Sequence, residues 1–409
     1  MKLDFTFSPT RARCTLEEAL TETIFHLLSI SDFRSMTKHR GFVSILPQEL
    51  IETILSKLSV KCLLRFKCVC KLWRVLITKM HLAQSINRVS NRPSLLILSG
   101  PYSKLCETEE YGGLDTYIYT VECDEYDNGA VEINYPLANP FVGVKLLSAS
   151  CNGLFCVSIG NTICFWNPAT EEYKVLPNTP IEKLGIIGSY MYSVGYDPTY
   201  EEYKVVRIGK YGVCEYEVIV LSVLDNSWRR NDMLPKNYFF PELGVYLNGA
   251  LHWLARNKLL CVEDKYSDGA IVSFDIRNEE FQEMLQPDDV AGLLRGETGY
   301  FNTLSLGVFG GHLCMFSEDY KFNFVIWIMR DYGVKESWTK LVSFVYEKPA
   351  WSFNRFRKNY LRPLHFSQAG EILLTICNYL RVYDTEHKKV RKLEIPRVPG
   401  FIDNIKTCV

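Results

Sequence analysis

Residues 163–177 read ICFWNPATEEYKVLP. Ile163 to Trp166 is an unbroken apolar run, Asn167 and Pro168 open a polar turn, and Tyr173 begins a second run that ends at Pro177. Strand, turn, strand is the plainest reading of that order. The same order returns as VIVLSVLDNSWRRNDMLP (218–235), IVSFDIRNEEFQEMLQP (271–287), VIWIMRDYGVKESWTKLVSF (325–344) and LRVYDTEHKKVRKLEIP (380–396). In each copy a bulky residue opens the second strand: Tyr173, Trp228, Phe281, Trp338 and Val390, spaced 52 to 57 residues apart. A period of this length is the mark of a propeller or a solenoid, in which each unit buries its faces only against its neighbours.

Each hairpin is preceded by a further pair of strand-like runs. These are CNGLFCVSIG (151–160), SVGYDPTYEEYKVVRIG (193–209), YLNGALHWLAR (246–256), VFGGHLCMFSE (308–318) and FSQAGEILLTICN (366–378). Gly153, Gly249, Gly311 and Gly370 stand at matching places before a strand, where a tight turn requires positive φ. SLLILSG with DTYIYTVECDEYDNGAVEINYPL, within 94–137, supplies a weaker first copy. Two hairpins per repeat make a four-stranded blade, and the repeats predict an all-β propeller of six blades over 94–400, followed by a tail, 401–409. The weak terminal copies leave five or seven blades as alternatives. Closure into a ring removes the open sheet edges.

Upstream the periodicity changes. In SILPQELIETILSKLSVKCLLRFKCVCKLWRVLI (44–77), Leu46, Leu50, Ile54 and Leu58 recur every four residues, with Ile51 and Leu55 beside them. That is one apolar helix stripe, with Pro47 suited to its first turn. Val60–Cys68 and Lys71–Ile77 predict two more helices, too short to stand without a partner surface. Residues 1–41 read as a dispensable N-terminal extension and 89–93 as a short junction.

The stretch Leu46-Pro47-Gln48-Glu49-Leu50, Ile54-Leu55, Leu58-Ser59-Val60-Lys61-Cys62-Leu63 and Val69-Cys70-Lys71-Leu72-Trp73 resembles the F-box. Ser59 stands where that family usually carries Pro, and Cys62 where it usually carries Ser; neither removes an apolar contact residue. The F-box is expected over 42–88 as three short helices. The strand-turn-strand unit resembles a kelch repeat, although only Gly310-Gly311 keeps the double glycine. Taken together, with CNGLFC, WNPAT, YDPTYEEYKVV and YGVKESWTK, the chain resembles plant F-box proteins carrying an F-box-associated domain, of the S-locus and defence-repressor types.

That resemblance implies a substrate-recognition subunit of an SCF-type ubiquitin ligase. Leu46, Pro47, Ile54, Leu55, Leu58, Val69 and Trp73 would dock a Skp-type linker and, through it, a cullin. The propeller would hold a client protein, and the chain itself would make or break no bond. Two alternatives stand beside this one: a linker-binding protein without a degradative role, and a propeller hydrolase.

Composition limits these readings. With 46 basic against 47 acidic residues the chain has no global field that attracts nucleic acid or an anionic membrane. The longest apolar run, Phe324–Met329, is too short to span a bilayer, and MKLDFTFSPTRARC lacks the apolar core of a secretory signal. The 14 Cys include no C-x-x-C pair and read as reduced thiols of a cytoplasmic or nuclear protein. Nucleotide-binding, serine-hydrolase and zinc-protease motifs are absent, and the 7 His include no pair at ligand spacing, so no cofactor or metal is expected. His252 and His312 are read as equivalent strand residues of two blades, satisfied by backbone.

Charge is informative only locally. Within 42–88 eight basic side chains face only Glu49 and Glu52. A basic three-helix unit could enter a DNA groove, but interleaved with Cys62, Leu63, Leu64, Phe66 and Val69 these charges also suit an acidic protein partner, and the F-box resemblance favours protein. Acidic residues gather from Glu107 to Asp127. WSFNRFRKNY (351–360), with Trp351, Phe353, Arg355 and Arg357, has the aromatic and Arg composition of a protein-binding hot spot and is the candidate client contact.

Overall fold

The structure is a computed structural model that describes residues between 94 and 408, leaving out 100–116, 124–125, 138–143, 170, 180–189, 211–215, 233–237, 241–242, 258–268, 288–302, 319–322, 346–360, 368–369, 377–378, 397 and 399–403. All described residues belong to the unit that runs from Arg92 to Val409. The helices expected within 44–77 lie outside them.

The described residues form six antiparallel sheets. Blade 1 holds β1 (Ser94–Ser99), β2 (Tyr117–Glu122) and β3 (Val131–Ile133); blade 2 holds β4 (Val144–Leu146), β5 (Phe155–Ile159), β6 (Thr162–Asn167) and β7 (Glu172–Val175). Blade 3 is β8 (Tyr190–Asp197), β9 (Glu202–Lys210), β10 (Tyr216–Ser222) and β11 (Ser227–Asn231). In blade 4 the inner strand is broken into β12 (Tyr238–Phe239) and β13 (Val245–Leu247), which both pair with β14 (Ala250–Asn257); β15 (Gly269–Asp275) and β16 (Phe281–Met284) follow. Blade 5 is β17 (Thr303–Phe309), β18 (His312–Glu318), β19 (Asn323–Met329) and β20 (Trp338–Val345). Blade 6 is β21 (Leu361–Phe366), β22 (Glu371–Ile376), β23 (Tyr379–Asp384) and β24 (Lys389–Lys392).

Six blades, each a four-strand meander, match the repeat count read from the sequence. The segment expected to trail as a tail does not: β25 (Asn404–Cys408) pairs with β1, Ser94 opposite Cys408 and Leu98 opposite Asn404, and completes blade 1. The first copy looked weak because its inner strand comes from the far end of the chain. Inner strands meet from blade to blade, β8 with β13, β13 with β17, β17 with β21 and β21 with β25.

The core lies between blades. In β1, Leu95 and Ile97 pack against Leu373 and Val382 of blade 6, whereas Leu96 and Leu98 pack against Phe155 and Trp166 of blade 2. A strand packed on both faces has no polar side, so its sequence is an apolar run rather than an alternation. Outer strands such as β16 and β24 are only half buried, and their sequences are correspondingly mixed.

The four glycines expected in left-handed turns are there, with φ of +74° at Gly153, +79° at Gly249, +77° at Gly311 and +81° at Gly370. Asn152 and Asn248 also have positive φ, as a two-residue Asn-Gly hairpin turn demands. Gly195 answers to a different need: a Cβ there would lie 2.2 Å from Cδ1 of Ile276 in the neighbouring blade.

Candidate functional site

Within each blade the strands alternate in direction. The turn from first to second strand and the turn from third to fourth therefore fall at one end of the ring. The second-to-third and blade-to-blade connections leave from the other. The strand ends that flank 100–116, 258–268, 288–302 and 346–360 all lie at this second, long-connection end. Trp351, Phe353, Arg355 and Arg357 lie outside the described residues, and so do Leu46, Pro47, Ile54, Leu55, Leu58, Val69 and Trp73. The strand ends next to the long connections carry exposed apolar side chains: Tyr117, Tyr190 and Val345.

Blades are tied to one another by side chains whose roles the sequence does not announce. Trp228 donates its indole N–H to the Pro177 carbonyl at 2.8 Å, and Trp338 donates to the Leu285 carbonyl at 3.1 Å, each reaching a residue one or two past the outer strand of the preceding blade. Lys204, on β9, is buried between blades 3 and 4; its Nζ donates to Ile276 O and to Glu279 Oε1, both at 2.8 Å. Burial pushes the Lys204 amine below its ordinary value, and Arg229, also paired with Glu279, pushes the same way. Asn231 donates to the backbone carbonyl of Glu279 at 2.9 Å, so one turn residue, itself at φ +60°, receives three side chains of the preceding blade.

His252 and His312 are not equivalent. His252 follows its turn glycine, Gly249, by three residues, whereas His312 directly follows Gly311. Both reach backbone as expected, His252 Nδ1 at 3.3 Å from Val245 O and His312 Nδ1 at 3.2 Å from Met329 O. His252 has a second partner: its Nε2 lies 2.7 Å from the hydroxyl of Tyr332, in a turn of blade 5. A carbonyl only accepts, so Nδ1 carries the proton and Nε2 accepts from Tyr332. Burial holds the imidazole at about 4, well below its ordinary range.

Among the described residues no group of three His, Cys, Asp or Glu could hold a metal ion, and no helix is long and apolar enough to cross a membrane. The buried thiols of Cys151, Cys156, Cys164 and Cys314 are all pushed upward by burial, which keeps them protonated and unreactive.

Six blades with their core between neighbours define a β-propeller. The F-box associated beta propeller domain model matches residues 124–407, and the F-box domain model matches residues 43–84. The chain belongs to the family of F-box proteins with an F-box associated beta propeller domain. It is similar to the F-box/kelch-repeat protein At3g23880 of Arabidopsis thaliana, 28% identical over 83% of this chain and 87% of that protein. F-box protein CPR1 of the same plant is 27% identical over 88% of this chain and 86% of its own length.

Proposed function

We propose that the chain is the substrate-recognition subunit of an SCF-type ubiquitin ligase. The observation that carries this reading is the succession, in one chain, of an F-box domain match over 43–84 and a propeller domain match over 124–407. The F-box, over 42–88, docks a Skp-type linker through Leu46, Pro47, Ile54, Leu55, Leu58, Val69 and Trp73, and the linker joins it to a cullin. The propeller holds a client protein at its long-connection end, with Trp351, Phe353, Arg355 and Arg357 among the contacts. The chain contributes proximity rather than chemistry: a held client presents its lysines to the ubiquitin-conjugating enzyme at high effective concentration. Such a subunit works in the cytoplasm or the nucleus.

Co-expression with a plant Skp-type linker tests this. Wild-type chain is expected to co-purify with the linker, and a Leu46→Ala, Pro47→Ala double variant is expected to lose it while keeping the propeller's unfolding transition. Equal recovery of linker by both proteins would refute the docking assignment. Client levels that do not rise under proteasome inhibition would separate simple linker binding from ligase function.

A further inference from the structure

Strand β9 carries two buried cations, and among the described residues only one of them meets a carboxylate. Lys204 faces blade 4 and meets a carboxylate and a carbonyl. Arg207, three residues on, projects from the opposite side of the strand and is equally buried, 5% exposed. Its Cζ lies 3.8 Å from the centroid of the Tyr190 ring. Tyr190 pairs with Gly209 across β8 and β9, and a Cβ on Gly209 would come within 3.1 Å of that ring, so the glycine is what lets the ring lie over the strand. Tyr190 itself is 52% exposed and forms the outer layer of the arrangement.

No carboxylate among the described residues pairs with Arg207, and its buried Nε has no acceptor. Glu217, opposite Gly209 on the adjacent strand, has its Oε1 3.7 Å from Arg230, and two other neighbouring groups are neutral. Tyr192, directly opposite Arg207, is pushed up to about 12 by burial in spite of the pull of the guanidinium, and burial keeps the Cys156 thiol protonated. Stacking on one aromatic ring offsets only part of the cost of burying a charge without a counter-ion. The planar guanidinium fork is shaped for two parallel hydrogen bonds to one oxyanion.

We propose that Arg207, roofed by Tyr190, is a receptor for a single oxyanion, the phosphate or carboxylate group of a ligand, between blades 2 and 3 at the long-connection end. The site is independent of the F-box and stands whether or not the linker binds.

The test uses the full-length chain, with phosphate or acetate added at ionic strength matched by chloride. Phosphate at about 100 times its Kd is expected to raise the wild-type Tm by several degrees. Arg207→Met is expected to abolish that shift and to melt no lower than wild type in chloride, because it removes an uncompensated charge. Arg207→Lys keeps the charge but loses the fork, and is expected to weaken binding about tenfold or more. A wild-type Tm indifferent to both anions, or an equal shift in Arg207→Met, overturns the proposal. A phosphoserine peptide that binds more tightly than inorganic phosphate, with its unphosphorylated form inert, places the oxyanion on a protein client; equal affinity for the two places it on a free ion.

Discussion

His252 shows how a propeller turns a titratable residue into a stability term. Its folded value, about 4, lies below the 6.5 of the free side chain. Between those values the unfolded chain binds the proton and the folded one does not, so stability falls as pH drops through that window and is unaffected by this residue above it. The whole contribution is about 3 kcal/mol. Urea unfolding at pH 7, 5.5 and 4 is expected to show wild type losing that much more than a His252→Phe variant. Glu279 makes a second residue-scale case. Glu279→Gln leaves the Lys204 ammonium buried without its counter-charge and is expected to cost about 3 kcal/mol, whereas the half-exposed Arg229 is worth less than about 1 kcal/mol. Neither burial was legible in the sequence. In EYKVVRI, Lys204 and Arg207 fall on opposite faces of the strand, each beside apolar residues, and only the neighbouring blades decide that both faces are covered.

The outer hairpins are the element the sequence specifies best. Tyr173, Trp228, Phe281, Trp338 and Val390 stand opposite Trp166, Leu221, Phe274, Met329 and Tyr383 on the preceding strand. A large cross-strand pair beside the turn fixes the register locally. Because that contact is local, it repeats visibly. The hydrogen bond from Trp338 to Leu285 is long-range and leaves no pattern of its own. Thermal or urea unfolding separates the two roles: Trp338→Phe is expected to cost about 1 kcal/mol for the lost N–H donor. Trp338→Ala should cost about 3–5 kcal/mol, since it also empties the core between blades 4 and 5. The candidate linker and client contacts follow a different logic. They were read from composition and from family resemblance, because recognition residues on connections carry no periodicity that a fold would impose.

At the scale of the molecule the decisive element is β25. Its sequence, NIKTC, is too short and too mixed to declare itself a strand, and its partner β1 lies at the opposite end of the described chain. Removing residues 404–409 strips the hydrogen-bond ladder from β1 and leaves that apolar strand with an open edge between blades 6 and 2. The truncated chain is expected to lose its single cooperative unfolding transition and to elute as soluble aggregates in size-exclusion chromatography; a monomer with unchanged Tm would show that the inter-blade cores suffice without closure.

The same strand sets a timetable for biosynthesis. β1 leaves the ribosome before any other strand of the ring, and its partner β25 leaves after all of them, a wait on the order of tens of seconds at ordinary elongation rates. Through that interval the nascent chain carries an apolar strand that still lacks one of its two sheet partners. A message cut short before Asn404 lacks the strand that pairs with β1, so that pairing reports that translation has run through Asn404–Cys408.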